Sequence, residues 1–125
     1  MNFATVRIAG GNGALRAENE SIRLALPPAL SAPLGPQVGR EVTLGVRPED
    51  LRIAASDDAP GLCLDAVVEV VEKLGSEILL DVKSGTTTLV ARVEPTVRAK
   101  VHEHVRLAMN PQRLHFFDAK TEQAL

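Results

Sequence analysis

The sequence predicts an all-β fold, a barrel or a sandwich, and three observations carry that prediction. Apolar and polar residues alternate over short runs, and Gly, Pro, Asn and Asp stand between the runs as turn formers. No stretch longer than about a dozen residues shows a convincing helical period of 3.6. The third observation is an internal repeat. When Pro48 is laid on Pro111, Val42 falls on Val105, Leu44 on Leu107, Gly45 on Ala108, Val46 on Met109, Glu49 on Gln112, Leu51 on Leu114 and Ile53 on Phe116. Each copy reads as a half-buried strand ended by a Pro without an N–H, a tight helical turn of polar residues, and a second short strand. Two such copies predict two similar layers closing one β-structure, with roughly seven to ten short strands in all.

In chain order, Phe3 to Ile8 reads as a short strand and Gly10-Gly11-Asn12-Gly13 as the tight turn of a hairpin. Ser21 to Leu26 places its apolar residues at even positions, so it reads as a strand with one face in the core, ended by Pro27-Pro28. Pro27 to Gly39 has no period and reads as a connecting loop. The first repeat copy follows, and Ala55 to Gly61 is then a polar loop suited to a mobile tip. Leu62 to Leu74 alternates as one long strand. Because Val67 and Val71 make its second face partly apolar, it belongs in a central position or beneath a partner. Gly75-Ser76 turns the chain into Glu77 to Val82, Lys83-Ser84-Gly85 turns it again, and the β-branched run Thr86 to Val93 completes a three-stranded meander. Glu94-Pro95 ends it, the second repeat copy follows, and Asp118 to Thr121 makes a last turn.

A chain of 125 residues fits one domain, 1–125, able to bury roughly two-thirds of the surface its unfolded form exposes. Hydrophobic residues make up 45% but aromatic ones 2%, with three Phe and no Trp or Tyr, so the core is aliphatic. That composition speaks against sugar platforms, base-stacking surfaces and quaternary-ammonium cages, all of which need aromatic faces. A β-barrel of this size is compatible with an oligonucleotide-binding type. The net charge of -2 removes the basic groove that nucleic acid requires, so no nucleic-acid partner is expected. The single Cys63 excludes an internal disulfide and reads as a small half-buried strand residue. No apolar run approaches the ~18 residues of a membrane helix, and Met1-Asn2-Phe3 opens no signal peptide; the expectation is a cytoplasmic chain.

Candidate chemistry is sparse. Arg47-Pro48-Glu49-Asp50 gathers three charges around a Pro. Acidic residues beside a Pro at the first position of a helical turn are what its exposed N–H groups favour, so a structural turn outweighs a catalytic pair, and Arg47 is free to pair with a carboxylate elsewhere. No base, nucleophile and orienting third group occur together. His102 and His104 share a strand face, with His115 in the second repeat copy; with Cys63 as the one remaining ligand type, they fall short of a closed zinc set, and no metal is expected. The glycine cluster at residues 10–13 lacks the Gly-Lys-Ser/Thr of a nucleotide loop.

Leu44-Gly45-Val46-Arg47-Pro48-Glu49-Asp50-Leu51, then Val71-Glu72-Lys73-Leu74-Gly75-Ser76-Glu77, then Arg113-Leu114-His115-Phe116-Phe117-Asp118, with the opening Met1-Asn2-Phe3, resemble the C-terminal region of ATP-binding subunits of ABC importers. The resemblance is to the maltose and sn-glycerol-3-phosphate type, and it spans essentially the whole chain. It implies a transport-associated OB-like (TOBE) β-barrel built from two related sub-barrels, with short helical turns only. By the same resemblance the domain is non-catalytic, regulatory and dimerising, and pairs with a second copy of itself. It works within a sugar or glycerol 3-phosphate importer alongside the ATPase module and membrane subunits, and in some members receives a regulatory protein. Arg47, Pro48 and Glu49 match the family's Arg-Pro-Glu turn, and Gly75 and Glu77 match its Leu-Gly-x-Glu turn. Those five are the expected partner contacts. Phe117-Asp118 matches a closing packing anchor and turn cap. The phosphate loop, the Leu-Ser-Gly-Gly-Gln signature and the carboxylate pair of the nucleotide module do not occur in this sequence, so ATP and Mg belong to a module absent from this chain, which itself has no cofactor and is no enzyme. The localisation implied is cytoplasmic, peripheral to the inner face of the membrane. The alternative implied by related transport-associated domains is an oxyanion-binding module, for an ion such as molybdate, with backbone nests near Gly75-Ser76 or Lys83-Ser84-Gly85.

Overall fold

A computed structural model describes residues 1–11 and 14–125. Among them are ten strands: β1 (Asn2–Gly11), β2 (Ala14–Glu18), β3 (Arg23–Ala25), β4 (Glu41–Val46), β5 (Leu51–Ile53), β6 (Cys63–Lys73), β7 (Ile78–Ser84), β8 (Thr87–Val93), β9 (His104–Met109) and β10 (His115–Asp118). They form two five-stranded antiparallel sheets, ordered β10-β4-β1-β2-β3 and β5-β9-β6-β7-β8. Both sheets curl into half-barrels, with only short helical pieces between strands, so the all-β OB-like class stands.

Period-2 patterning sets the orientation of each strand. In β1, Asn2, Ala4, Val6 and Ile8 face inward while Phe3, Thr5 and Arg7 face solvent. Ile22, Leu24 and Leu26 do the same around β3, as the even-position pattern predicts. β1 and β2 pair from Arg7↔Glu18 to Gly11↔Ala14, as a hairpin requires; its expected turn at Asn12-Gly13 lies outside the described residues. The long strand is β6, and it is central: β9 pairs along Cys63 to Val67 and β7 along Val67 to Lys73. A bulge between Val68 and Val70 lets its two halves serve different neighbours. Next to the bulge the segment after β8 closes in, with Glu103 O accepting from Val68 N at 2.9 Å and His102 N donating to Val68 O at 2.7 Å. β6, β7 and β8 are the meander predicted from the turns at Gly75 and Gly85.

The two repeat copies take the same local form. Each is a strand, a three-residue 3-10 turn opened by its Pro (Pro48–Asp50 and Pro111–Arg113), and a second strand. Their pairing adds what periodicity cannot show. The second strand of the first copy, β5, pairs with the first strand of the second copy, β9, through Leu51↔Met109 and Ile53↔Leu107. The second strand of the second copy, β10, returns to pair with β4 through His115↔Gly45 and Phe116↔Leu44. Under the alignment of Pro48 on Pro111 the two registers are equivalent. The copies are therefore related by an approximate two-fold axis, each completing the sheet of the other.

The core is aliphatic, with Ile8, Leu24, Leu44, Leu51, Leu80 and Leu107 inaccessible or nearly so and Phe116 its one aromatic. Polar clasps join the sheets. Asn2, 8% exposed, donates Nδ2 to Val90 O and accepts from Val90 N, both at 2.8 Å, so a β1 side chain stands where a strand backbone would pair with β8. Ser21 Oγ donates to Ser84 O at 2.7 Å, and the Glu20 carboxylate accepts from the Thr86 N–H and hydroxyl. The connection expected as a plain loop after Pro27 is instead a chain of short helical turns, with α1 (Ser31–Leu34) flanked by 3-10 turns at Pro28–Leu30 and Gly35–Gln37. These turns exist to bury Leu34, 1% exposed, which a scan for periodicity over so few residues does not detect.

Candidate interaction surface

Arg47, Pro48 and Glu49 come together at the end of β4. The 3-10 turn keeps Asp50 N bonded to Arg47 O at 2.9 Å, while Arg47 and Glu49 are exposed. The free pairing foreseen for Arg47 is not made: among the described residues it has no carboxylate within 4.0 Å. Gly75 and Glu77 come together at the β6–β7 turn. Gly75 takes φ 81, a left-handed conformation that costs an L side chain about 1–2 kcal/mol. Leu74 N donates to Glu77 O at 2.9 Å, closing the turn. Glu77 is held by Arg92 of β8, Nε to Oε2 3.0 Å. The two turns both border β8, against which the Pro48–Asp50 turn packs, but no hydrogen bond or ion pair joins them. They are two separate exposed elements, one at the crossing between the sheets and one within the second sheet.

Of the backbone N–H groups expected to form an oxyanion nest, that of Ser76 is bonded within its own turn, donating to Leu74 O at 3.1 Å. At the other turn Ser84 is 1% exposed, its hydroxyl donates to Asp65 O at 2.7 Å, and its carbonyl accepts from Ser21. The three histidines do not converge, since His104 opens β9 in one sheet and His115 stands on β10 in the other; among the described residues no cluster of three metal-ligating groups exists. Cys63 is half-buried at the start of β6, with Sγ 3.4 Å from Ala59 O. No helix among the described residues is long and apolar enough to cross a membrane.

The loop read as a mobile tip is tied to β5 through Asp58. Arg52 forks onto Asp58, Nη1–Oδ2 2.8 Å and Nη2–Oδ1 2.6 Å, and Ala55 N donates to Asp58 Oδ2 at 2.6 Å. The Arg52 bonds, then the Ala55 N–H, draw the Asp58 carboxyl down to about 2. Asp58 fulfils there the role foreseen for Asp118 at the closing turn, where Oδ1 accepts from Lys120 N and Thr121 N at 2.8 and 2.9 Å and those N–H groups lower the carboxyl's pKa.

Sequence reasoning missed one surface element. Phe3 is 58% exposed and stands edge-on to Phe117 with ring centroids 6.1 Å apart, and His115 stacks on Phe117 at 6.5 Å. These rings cover Gly45, whose missing side chain leaves space they fill: an added Cβ would lie 2.8 Å from Met1 Sδ and 2.9 Å from the Phe117 ring. The signal was present in the alternation, which puts Phe3 and Phe117 on outward positions, while the overall scarcity of aromatics argued against looking for a platform.

Two interlocked OB-like half-barrels, presenting exposed turns and a small aromatic layer, define the class of fold. The chain belongs to the TOBE domain family, whose profile matches residues 44–117, while residues 1–51 match the MalK OB fold domain. It is similar to the sulfoquinovosyl glycerol transport ATP-binding protein SmoE of Agrobacterium fabrum, 35% identical over 125 residues, all of this chain and 33% of that protein. It is also similar to the trehalose/maltose import ATP-binding protein MalK of Thermococcus litoralis, 40% identical over 91 residues, 70% of this chain and 24% of that protein. The chain thus spans about a third of the length of the first of these relatives, and both relatives are ATP-binding proteins of transport systems. Among solved structures, the cytoplasmic molybdate-binding protein ModG with molybdate bound shares the fold, with TM-score 0.66 over 92% of this chain and 94% of that one at 12% identity.

Proposed function

We propose that residues 1–125 form the regulatory and dimerising domain of the ATP-binding subunit of an ABC importer for sugar or glycerol 3-phosphate type solutes. The observation that carries the reading is the match of the whole chain to one third of the Agrobacterium subunit, together with family profiles that between them reach from residue 1 to residue 117. ATP and Mg chemistry then belongs to the ATPase module of the parent subunit. The domain lies on the cytoplasmic side, peripheral to the membrane subunits, and associates with a second copy or a regulatory protein through β-barrel surface. Arg47, Pro48, Glu49, Gly75 and Glu77 are the proposed contacts. Exposed, conformationally fixed turns suit this role, because little ordering remains to be done on binding.

A chimera tests the proposal. This chain replaces the matching third of the Agrobacterium subunit, and the transporter is purified with its membrane subunits. The expected result is an assembled complex retaining uptake, and charge reversals Arg47→Glu with Glu77→Lys that weaken subunit dimerisation by about tenfold without unfolding the domain, a loss typical of a few rim and core contacts. A chimera that folds but fails to assemble, or charge reversals without effect on dimerisation or regulation, would sink the respective parts.

A further inference from the structure

A cleft of about 440 Å3 opens between the β6–β7 turn and the segment that follows β8. Its apolar wall consists of Val71, Ile78, Pro95 and Val97, and its rim carries Lys73, Arg98 and Lys100. Among the described residues none of those three cations has a carboxylate within 4.0 Å. The one acidic group in the lining, Glu77, is already turned onto Arg92 at 3.0 Å. This charge pattern departs from the chain as a whole, whose net charge is -2. An apolar recess of this size with a few convergent polar groups is the ordinary form of a small-molecule site. Three cations on one rim without ion-pair partners favour an anion, and the presence of Arg beside Lys suits a tetrahedral oxyanion, which the guanidinium meets with two parallel N–H groups and the ammonium meets as a point charge.

We propose that this cleft binds a small organic anion, a phosphate or sulfonate attached to a short carbon skeleton, with the oxyanion on Lys73, Arg98 and Lys100 and the skeleton against Val71 and Val97. The backbone is not the anion's principal partner, since Ser76 N is bonded within its own turn. The proposal does not rest on the importer reading, and its test involves neither ATP nor membrane subunits.

The test is calorimetric titration of the full chain with sn-glycerol 3-phosphate, inorganic phosphate and glycerol at constant ionic strength, repeated on a Lys73→Ala/Arg98→Ala/Lys100→Ala variant and on Arg98→Glu. The expected result is saturable one-to-one binding of sn-glycerol 3-phosphate to the native chain, inorganic phosphate weaker, and glycerol silent. Both variants should lose about tenfold or more in affinity, with melting temperatures unchanged because all three side chains are exposed. Unaltered binding in both variants, or heat that follows ionic strength alone, overturns the site. Inorganic phosphate binding as tightly as the ester overturns its assignment to an organic anion.

Discussion

Asn2 ties the two half-barrels together through its side chain. Its amide makes two bonds of 2.8 Å with the backbone of Val90 while itself 8% exposed, so β8 receives a partner that no strand supplies. Removal of a buried partner leaves the other group unsatisfied, at about 1–3 kcal/mol. Asn2→Ala should therefore lower stability by about that much in urea denaturation, whereas a loss below about 0.5 kcal/mol would show that water replaces the amide without cost. Asp58 supplies a test by pH. Its carboxyl is depressed from 3.8 to about 2, so its contribution is present above the ordinary value and is lost as pH falls through about 2. A carboxyl titration followed by NMR should find a midpoint near 2 in the native chain and, in Arg52→Ala, a return toward 3.8; a native midpoint already near 3.8 would remove the bidentate pair from solution. Neither residue was legible in the sequence. Asn2 reads as a terminal polar residue until its register against Val46 fixes the direction of its side chain, and Asp58 reads as one more acidic residue in a polar loop.

The turns between elements separate two costs that sequence reasoning assigns to glycine as one. Gly75 and Gly85 both take positive φ, 81 and 61, and both were foreseen as turn residues because they stand between β-branched runs. An added methyl at Gly75 meets nothing within 4 Å, but at Gly85 it would lie 2.7 Å from Ser21 Cβ, a position fixed by the clasp between the sheets. Gly75→Ala should therefore cost the conformational penalty alone, about 1–2 kcal/mol. Gly85→Ala should cost more than Gly75→Ala in the same denaturation series, because either Ser21 or the β7–β8 turn must move. Equal losses would mean that the half-barrels part at this point without resistance. The strands themselves were legible because alternation and Pro act within a few residues: the Pro48 and Pro111 turns appear where an absent N–H requires a ladder to stop. Pairing between strands far apart in sequence was not legible. Nothing local distinguishes β5 joined to β9 from β5 folded back on β4, since both bury Leu51. The two turns were legible, their proposed role as contacts only through resemblance, and the cationic cleft not at all, because Lys73 and Arg98 belong to segments that meet only after β7 and β8 intervene.

The whole molecule follows from that exchange of strands. Had each repeat copy folded on itself, the chain would be two beads on a string, and the boundary between the two family matches, which overlap over residues 44–51, would be a domain boundary. Instead the overlap falls on β4, the Pro48 turn and the start of β5, which lead the chain from one sheet into the other, and β9 with β10 lead it back. Neither sheet is complete without a strand from the other repeat copy. Losing one repeat copy therefore removes an edge strand from the sheet that holds the other copy's first strand, and parting the sheets breaks the Asn2, Ser21 and Glu20 clasps. We propose on this ground that residues 1–125 unfold as one cooperative unit. Differential scanning calorimetry should give a single transition with equal calorimetric and van't Hoff enthalpies, and denaturation followed through probes in each sheet should give coincident curves. Since the pairings that close the fold join residues far apart in sequence, refolding should be slow for a chain of this length, in the range of milliseconds to seconds found for proteins dominated by non-local strands. Two resolved transitions, or a fragment such as residues 54–125 that folds without β1 to β5, would show that the exchange is ornament on two independent domains rather than the link that makes them one.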